Sequence, residues 1–161
     1  MKEALKEAQE AFQAGEVPIG AVLVDAEGTV VARAHNMRET WHDGTAHAEI
    51  IALQEAARKL GRWRLSGLTL YVTIEPCPMC AGALVMSRVD RVVYGATDAK
   101  AGACESLFNI VRHPALNHQL EMRAGVLEDE CRAIMKRFFG QRRKKSSALK
   151  KCTNQAFDAP E

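Results

Sequence analysis

No apolar run in this 161-residue chain approaches the roughly 20 residues that a membrane-spanning helix needs, and its mean hydropathy is −0.19. The opening residues, Met1 to Leu5, lead into an amphipathic pattern rather than an apolar targeting segment with a cleavage site. The expectation is a soluble, cytoplasmic protein. Proline and glycine are modest, at 5 and 11 residues, which excludes collagen-like and low-complexity behaviour. Aromatic residues make up only 6%, while 47% of the chain is hydrophobic, enough at this length to bury one core without covalent staples. The cysteines number five, an odd count with no secretory segment, which argues against a disulfide framework.

Nor does charge of one sign dominate: 22 basic and 20 acidic residues leave a net charge of +2. Its distribution says more. Residues 132–151 carry nine Lys or Arg and no Asp or Glu, while residues 1–131 carry thirteen bases against eighteen acids. An acidic body with a basic C-terminal stretch fits an anionic partner, or simply a solvated helix end and tail.

Periodicity lays out the elements. Leu5, Ala8, Ala11 and Phe12 recur at helical spacing before Gly15. Strand-like runs follow at Ile19–Val24 and Thr29–Ala34, joined by a turn at 25–28, and then a polar loop from His35 to Gly44. A helix over 46–60, capped by Thr45 and stopped by Gly61, precedes a strand at Leu68–Ile74. Next are a helix from Pro76 to Ser87, a strand at Arg91–Tyr94, a short helix at Ser106–Val111 and a strand at Leu120–Arg123. A long helix opens near Glu128 and is weakened at Gly140. Alternating strands and helices with one opening hairpin predict a three-layer α/β/α sandwich around a mixed five-stranded sheet. A single domain over 1–150 and a disordered tail over 151–161 complete the reading.

Two segments carry chemistry: His47-Ala48-Glu49 and Pro76-Cys77-Pro78-Met79-Cys80. Both fall at predicted helix starts. There the helix dipole favours thiolates, and residues at i and i+3 share a face. Two thiolates and an imidazole suit Zn²⁺. Three protein ligands leave a fourth position for water, the pattern of a catalytic site. Zinc lowers the pKa of bound water to about 7, giving a hydroxide nucleophile, and Glu49 stands beside it as a proton carrier. The competing reading closes the site with Cys104, Cys131 or His35 as a fourth ligand.

This H-x-E with P-C-x-x-C combination is similar to the zinc nucleobase deaminase signature. The likeness runs collinearly over about residues 1–143. It includes Glu16 to Ala21, His35-Asn36, Thr45 to Glu49, Leu70 to Cys77, Ser87 to Val89, Val93 to Ala96, Leu116 to His118 and Phe138-Phe139. In these segments the chain resembles the bacterial tRNA-specific adenosine deaminases. It departs from that pattern at Gly44, Pro78, Cys104 and Glu105, none of which removes a ligand.

The resemblance implies the cytidine-deaminase-like fold, a homodimer, and conversion of adenosine to inosine at the tRNA wobble position. It assigns one zinc per chain to His47, Cys77 and Cys80, and proton shuttling to Glu49. Asn36 would bind the flipped adenine in a pocket formed by Val17, Pro18 and the Ala48 backbone. Asp98 would meet the sugar–phosphate of the anticodon loop, with Asn117, His118, Phe139, Arg142 and Arg143 extending the RNA surface. A free-base or nucleotide deaminase of guanine or cytosine type, and a non-catalytic zinc-stabilised RNA-binding module, are the competing functions. The basic C-terminal stretch favours RNA.

Overall fold

The structure, a computed structural model, describes the backbone of residues 1–157 and the side chains of 1–144 and 146. In chain order the elements are α1 (Lys2–Gln13), β1 (Gly20–Val24), β2 (Val30–His35), α2 (Arg38–Trp41) and α3 (Ala48–Leu60). There follow β3 (Thr69–Ile74), α4 (Pro78–Met86), β4 (Arg91–Ala96), β5 (Glu121–Arg123) and α5 (Glu128–Phe157).

The five strands form one sheet in the order β2-β1-β3-β4-β5. β1 runs antiparallel to both β2 and β3, whereas β3, β4 and β5 are parallel. The sheet is mixed, as the opening hairpin predicts. On one face Ala21, Leu23, Leu70, Val72, Val92 and Tyr94 pack with Ala48, Ala52 and Ala56 of α3 and Leu84 of α4. On the other lie α1 and α5, where Ile74, Ala96 and Cys131 gather with Leu5, Ile19 and Met135. α1 approaches so closely that a Cβ at Gly20 would collide with the Ala4 and Ala8 backbone. Three layers result, and the C-terminal ends of parallel β3 and β4 open between them.

The structure differs from the sequence reading in several places. The loop over 35–44 contains the single-turn α2. α4 begins at Pro78 rather than Pro76, leaving Cys77 extended as its N-cap. Residues 106–111 are not helical. The N–H groups of Cys104, Glu105 and Ser106 bond the Glu75 carboxylate, and the chain beyond them runs on as turn and irregular backbone. α5 passes through Gly140, around which nothing crowds. Its backbone stays helical over 151–157, where the composition predicts a disordered tail, and residues 158–161 lie outside those described. No helix among the described residues is long and apolar enough to cross a membrane.

Candidate active site

Two helix N-termini meet beside the end of β3. His47 is the N-cap of α3 and Cys77 the N-cap of α4, both in extended conformation and neither making a side-chain capping bond. Their side chains are thus free to turn towards each other. His47 Nδ1 lies 3.6 Å from Cys77 Sγ and 3.5 Å from Cys80 Sγ. An ion about 2.3 Å from sulfur and about 2.0–2.1 Å from nitrogen, in tetrahedral geometry, separates such atoms by about 3.6 Å. The three ligand atoms all lie within 4.8 Å of one another. The donor set therefore fits a tetrahedral metal of zinc type.

Cys80 is fully buried, while His47 and Cys77 are part-buried. The Cys80 S–H and then the His47 ring hold the Cys77 thiol down at about 4, so it is a thiolate at neutral pH. Donation to Cys77, together with burial, pushes Cys80 well up. The hydrogen bond with Cys77 raises the pKa of His47. Among the described residues, this is the one cluster of His, Cys, Asp or Glu able to hold an ion. Cys104 and Cys131 are buried elsewhere, and His35 pairs with Glu7 at 3.0 Å, so none of the three closes the site.

Glu49, on the first turn of α3, is 4% exposed, and its Oε2 is, among the described residues, the buried side-chain polar atom left without a hydrogen-bond partner. Burial, reinforced by the Cys77 charge, raises its carboxyl above the ordinary 4.5. An unpaired buried carboxylate oxygen is costly. Its position beside the ligands is where a reacting group could satisfy it.

Above these residues opens a cavity of about 520 Å³. His47, Glu49 and Cys77 contribute to its lining, Val17, Ile19, Ile74, Ala96, Met135 and Phe139 give it apolar surface, and Arg38, Lys100, Arg132 and Asp98 bring charge. Of the residues expected at the substrate, Val17, Asp98 and Phe139 line this cavity. Asn36 does not; it is 2% exposed, and its Nδ2 donates to Glu16 Oε2 at 3.0 Å. Pro18 and the fully buried Ala48 flank the lining without joining it. His118 bonds the Val89 carbonyl at 2.7 Å, near the start of β4 and so at the far end of that strand, with exposed Asn117 beside it. Arg142 lies over the Phe138 ring, 5.6 Å from its centroid, in a separate groove between α1 and α5, and Arg143 is exposed.

Two buried carboxylates fall within the motif segments, yet nothing in their spacing marks a role for them. Glu16, fully buried, also accepts the N–H groups of Glu39 and Thr40, at 3.2 and 2.7 Å. Against the upward push of burial, those bonds hold its carboxyl below the ordinary 4.5. Glu75 does the same for the loop after β4. Arg38, Lys100 and Arg132 escape a reading by motif as well, because isolated charges carry no local signal.

The MafB19-like deaminase family model matches residues 1–143. The chain belongs to this deaminase family. The tRNA-specific adenosine deaminase of Bacillus subtilis (strain 168) is 55% identical over 151 residues, covering 94% of this chain and 93% of that one. A solved tRNA:A34 deaminase, studied for A-to-I editing at the wobble position of transfer RNA, superposes with a TM-score of 0.80 at 46% identity. It covers 83% of this deaminase and 96% of its own chain, and the shared fold is the cytidine-deaminase-like one. The guanine deaminase of Nitrosomonas europaea superposes at 0.72 with 25% identity, over 85% of this chain and 81% of that chain.

Proposed function

We propose that this deaminase hydrolyses adenosine to inosine at the wobble position of a tRNA anticodon, in the cytoplasm. The observation that carries the reading is the unpartnered Oε2 of Glu49 beside a His-Cys-Cys set at the base of a cavity, in a chain related to tRNA deaminases along nearly its whole length. His47, Cys77 and Cys80 would hold a zinc ion, which supplies a water acidic enough to lose its proton near neutral pH. Glu49 would take a proton from the attacking water on Oε2 and deliver it to the ring nitrogen beside the attacked carbon. It would then relay the proton of the newly attached hydroxyl to the amine, so that the C–N bond breaks, ammonia leaves and the carbonyl of inosine remains.

Val17, Pro18 and the Ala48 backbone would bound the base. Asn36, its amide oriented by Glu16, would hydrogen-bond the adenine. Asp98, Phe139, Arg142 and Arg143, with Asn117 and His118 further off, would meet the RNA around it. The catalytic unit is the domain over 1–150. A second copy would cover the face where Trp63 and Met86 stand 59% and 68% exposed beside a groove between α3 and α4.

The test is incubation of zinc-loaded protein with an anticodon stem-loop bearing a wobble adenosine, read as inosine. Guanine and cytosine belong in the same assay, given the likeness to a guanine deaminase. Inosine in the stem-loop supports the reading. Turnover of guanine with the RNA untouched overturns it.

A further inference from the structure

The loop after β4 forms one side of the cavity, bringing Thr97, Asp98, Lys100 and Ala101 to it, yet over 97–106 it has no helix or strand to hold its shape. Besides the Ala103 N–H on the Pro76 carbonyl at 2.8 Å and the Tyr94 hydroxyl on Glu105, one carboxylate ties it down. Glu75 follows directly on β3 and is 3% exposed. Its Oε1 accepts the N–H groups of Cys104, Glu105 and Ser106 at 3.1, 2.8 and 3.0 Å. Its Oε2 accepts the Asp98 N–H at 3.0 Å and the Ser106 hydroxyl. Both ends of the loop are thereby tied to one group. Gly102 packs against the same carboxylate, where a Cβ would collide with it and with the Asp98 carbonyl. Asp98 is oriented in turn, its Oδ1 accepting the N–H groups of Lys100 and Ala101 at 2.9 and 3.2 Å.

We propose that Glu75 is a positioning residue for RNA binding: its carboxylate preorganises residues 97–106 so that Asp98 and Lys100 meet the nucleotides flanking the target adenosine. The proposal rests on the tRNA reading above. Preorganised contacts lower the ordering cost of binding, and a loop that must order on binding raises it. Glu75 stands two residues before Cys77, but its side-chain bonds all go to the loop and none to the three ligands or Glu49, so losing the brace weakens substrate capture more than the chemical step.

The test is steady-state kinetics of zinc-loaded, full-length protein on the anticodon stem-loop. Glu75→Gln keeps the shape but sets an NH₂ group where acceptors now face the donors of the loop. Zinc content should remain at about one per chain, kcat should stay within about threefold, and KM should rise about tenfold or more. Ser106→Ala removes one donor and should raise KM by about two- to fivefold. Combining Glu75→Gln with Asp98→Ala should raise KM no further than the larger single effect, because both act through the same contact.

A fall in kcat with KM unchanged, or no change in either, overturns the proposal. So does full additivity in the cycle. Should Glu75→Gln not fold, an unchanged KM in Ser106→Ala overturns it by itself. Should wild-type protein leave the stem-loop untouched, the functional reading fails, and amide hydrogen exchange still decides the brace. Faster exchange at Asp98 and at 104–106 in Ser106→Ala supports it, and unchanged exchange overturns it.

Discussion

Glu49 sits two residues from a metal ligand and is not among the three ligand atoms that cluster. It lies buried with one oxygen unpaired, an arrangement that stability alone would not select. Glu49→Ala should therefore keep its zinc and its fold while losing about 10²–10⁴ of kcat, the usual range for a proton-transfer group. Metal analysis beside the rate assay checks this, and zinc loss in the variant would make Glu49 a ligand instead. Glu16 answers to pH. Its folded carboxyl is held below the ordinary 4.5, so the unfolded chain takes up its proton first as pH falls. Its contribution is full above about pH 5 and is lost as pH drops through the folded value. The gap in thermal midpoint between wild type and Glu16→Gln should be widest near neutrality and close on acidification. A gap constant with pH would show that the carboxylate bonds do not hold the 36–40 segment. The metal ligands and Glu49 are legible in sequence because each spacing lies within one helical turn. Glu16 and Glu75 are not, because their donors come from positions 20 to 31 residues away, which only the tertiary fold brings near.

At the scale of elements, the hairpin, the parallel strands and the helices carrying the ligands follow from periodicity, since each buries a face the pattern already marks. The one helix that does not form shows where such reading stops. Residues 106–111 are Ser, Leu, Phe, Asn, Ile and Val, of which only Leu is a strong helix former, and six residues are too few for a helix that packing does not impose. The reverse holds in α5, where Gly140 costs about 1 kcal/mol and is absorbed by a 30-residue helix. That helix brings Arg132, Met135 and Phe139 to the cavity, with Arg142 one turn beyond Phe138 and Arg143 and Lys144 exposed after it. The element that borders the substrate thus continues into a cationic surface. Arg142, Arg143 and Lys144 changed together to Ala should weaken stem-loop binding. The slope of log affinity against log salt should flatten by about 0.7 for each phosphate that the variant no longer neutralises. Titration across a range of salt reads this directly, and an unchanged slope would return the stretch to a solvated helix end.

Across the whole molecule, the acidic body and the basic C-terminal stretch divide the work. The centre is a small, partly apolar cavity over the His-Cys-Cys set, while Arg38, Lys100 and Arg132 place cations at the same opening. An adenine stacked within an RNA loop cannot reach such a cavity, so its nucleotide must be splayed outward at a cost of a few kcal/mol. Free adenosine avoids that cost but has no flanking phosphates. Each charge-assisted contact to a phosphate contributes about 1.5–3 kcal/mol. Three of them outweigh the extrusion cost by an amount worth roughly ten- to ten-thousand-fold. Wobble adenosine in an anticodon stem-loop should accordingly exceed free adenosine in kcat/KM by at least about tenfold. The advantage should shrink as salt rises, because phosphate contacts are the part that screening removes. Guanine and cytosine, which gain neither the rim contacts nor a matching base edge, should be turned over more slowly than either. Competition assays at two salt concentrations decide the matter: an advantage for the stem-loop that is insensitive to salt would shift discrimination from the charged rim to the base pocket around Val17.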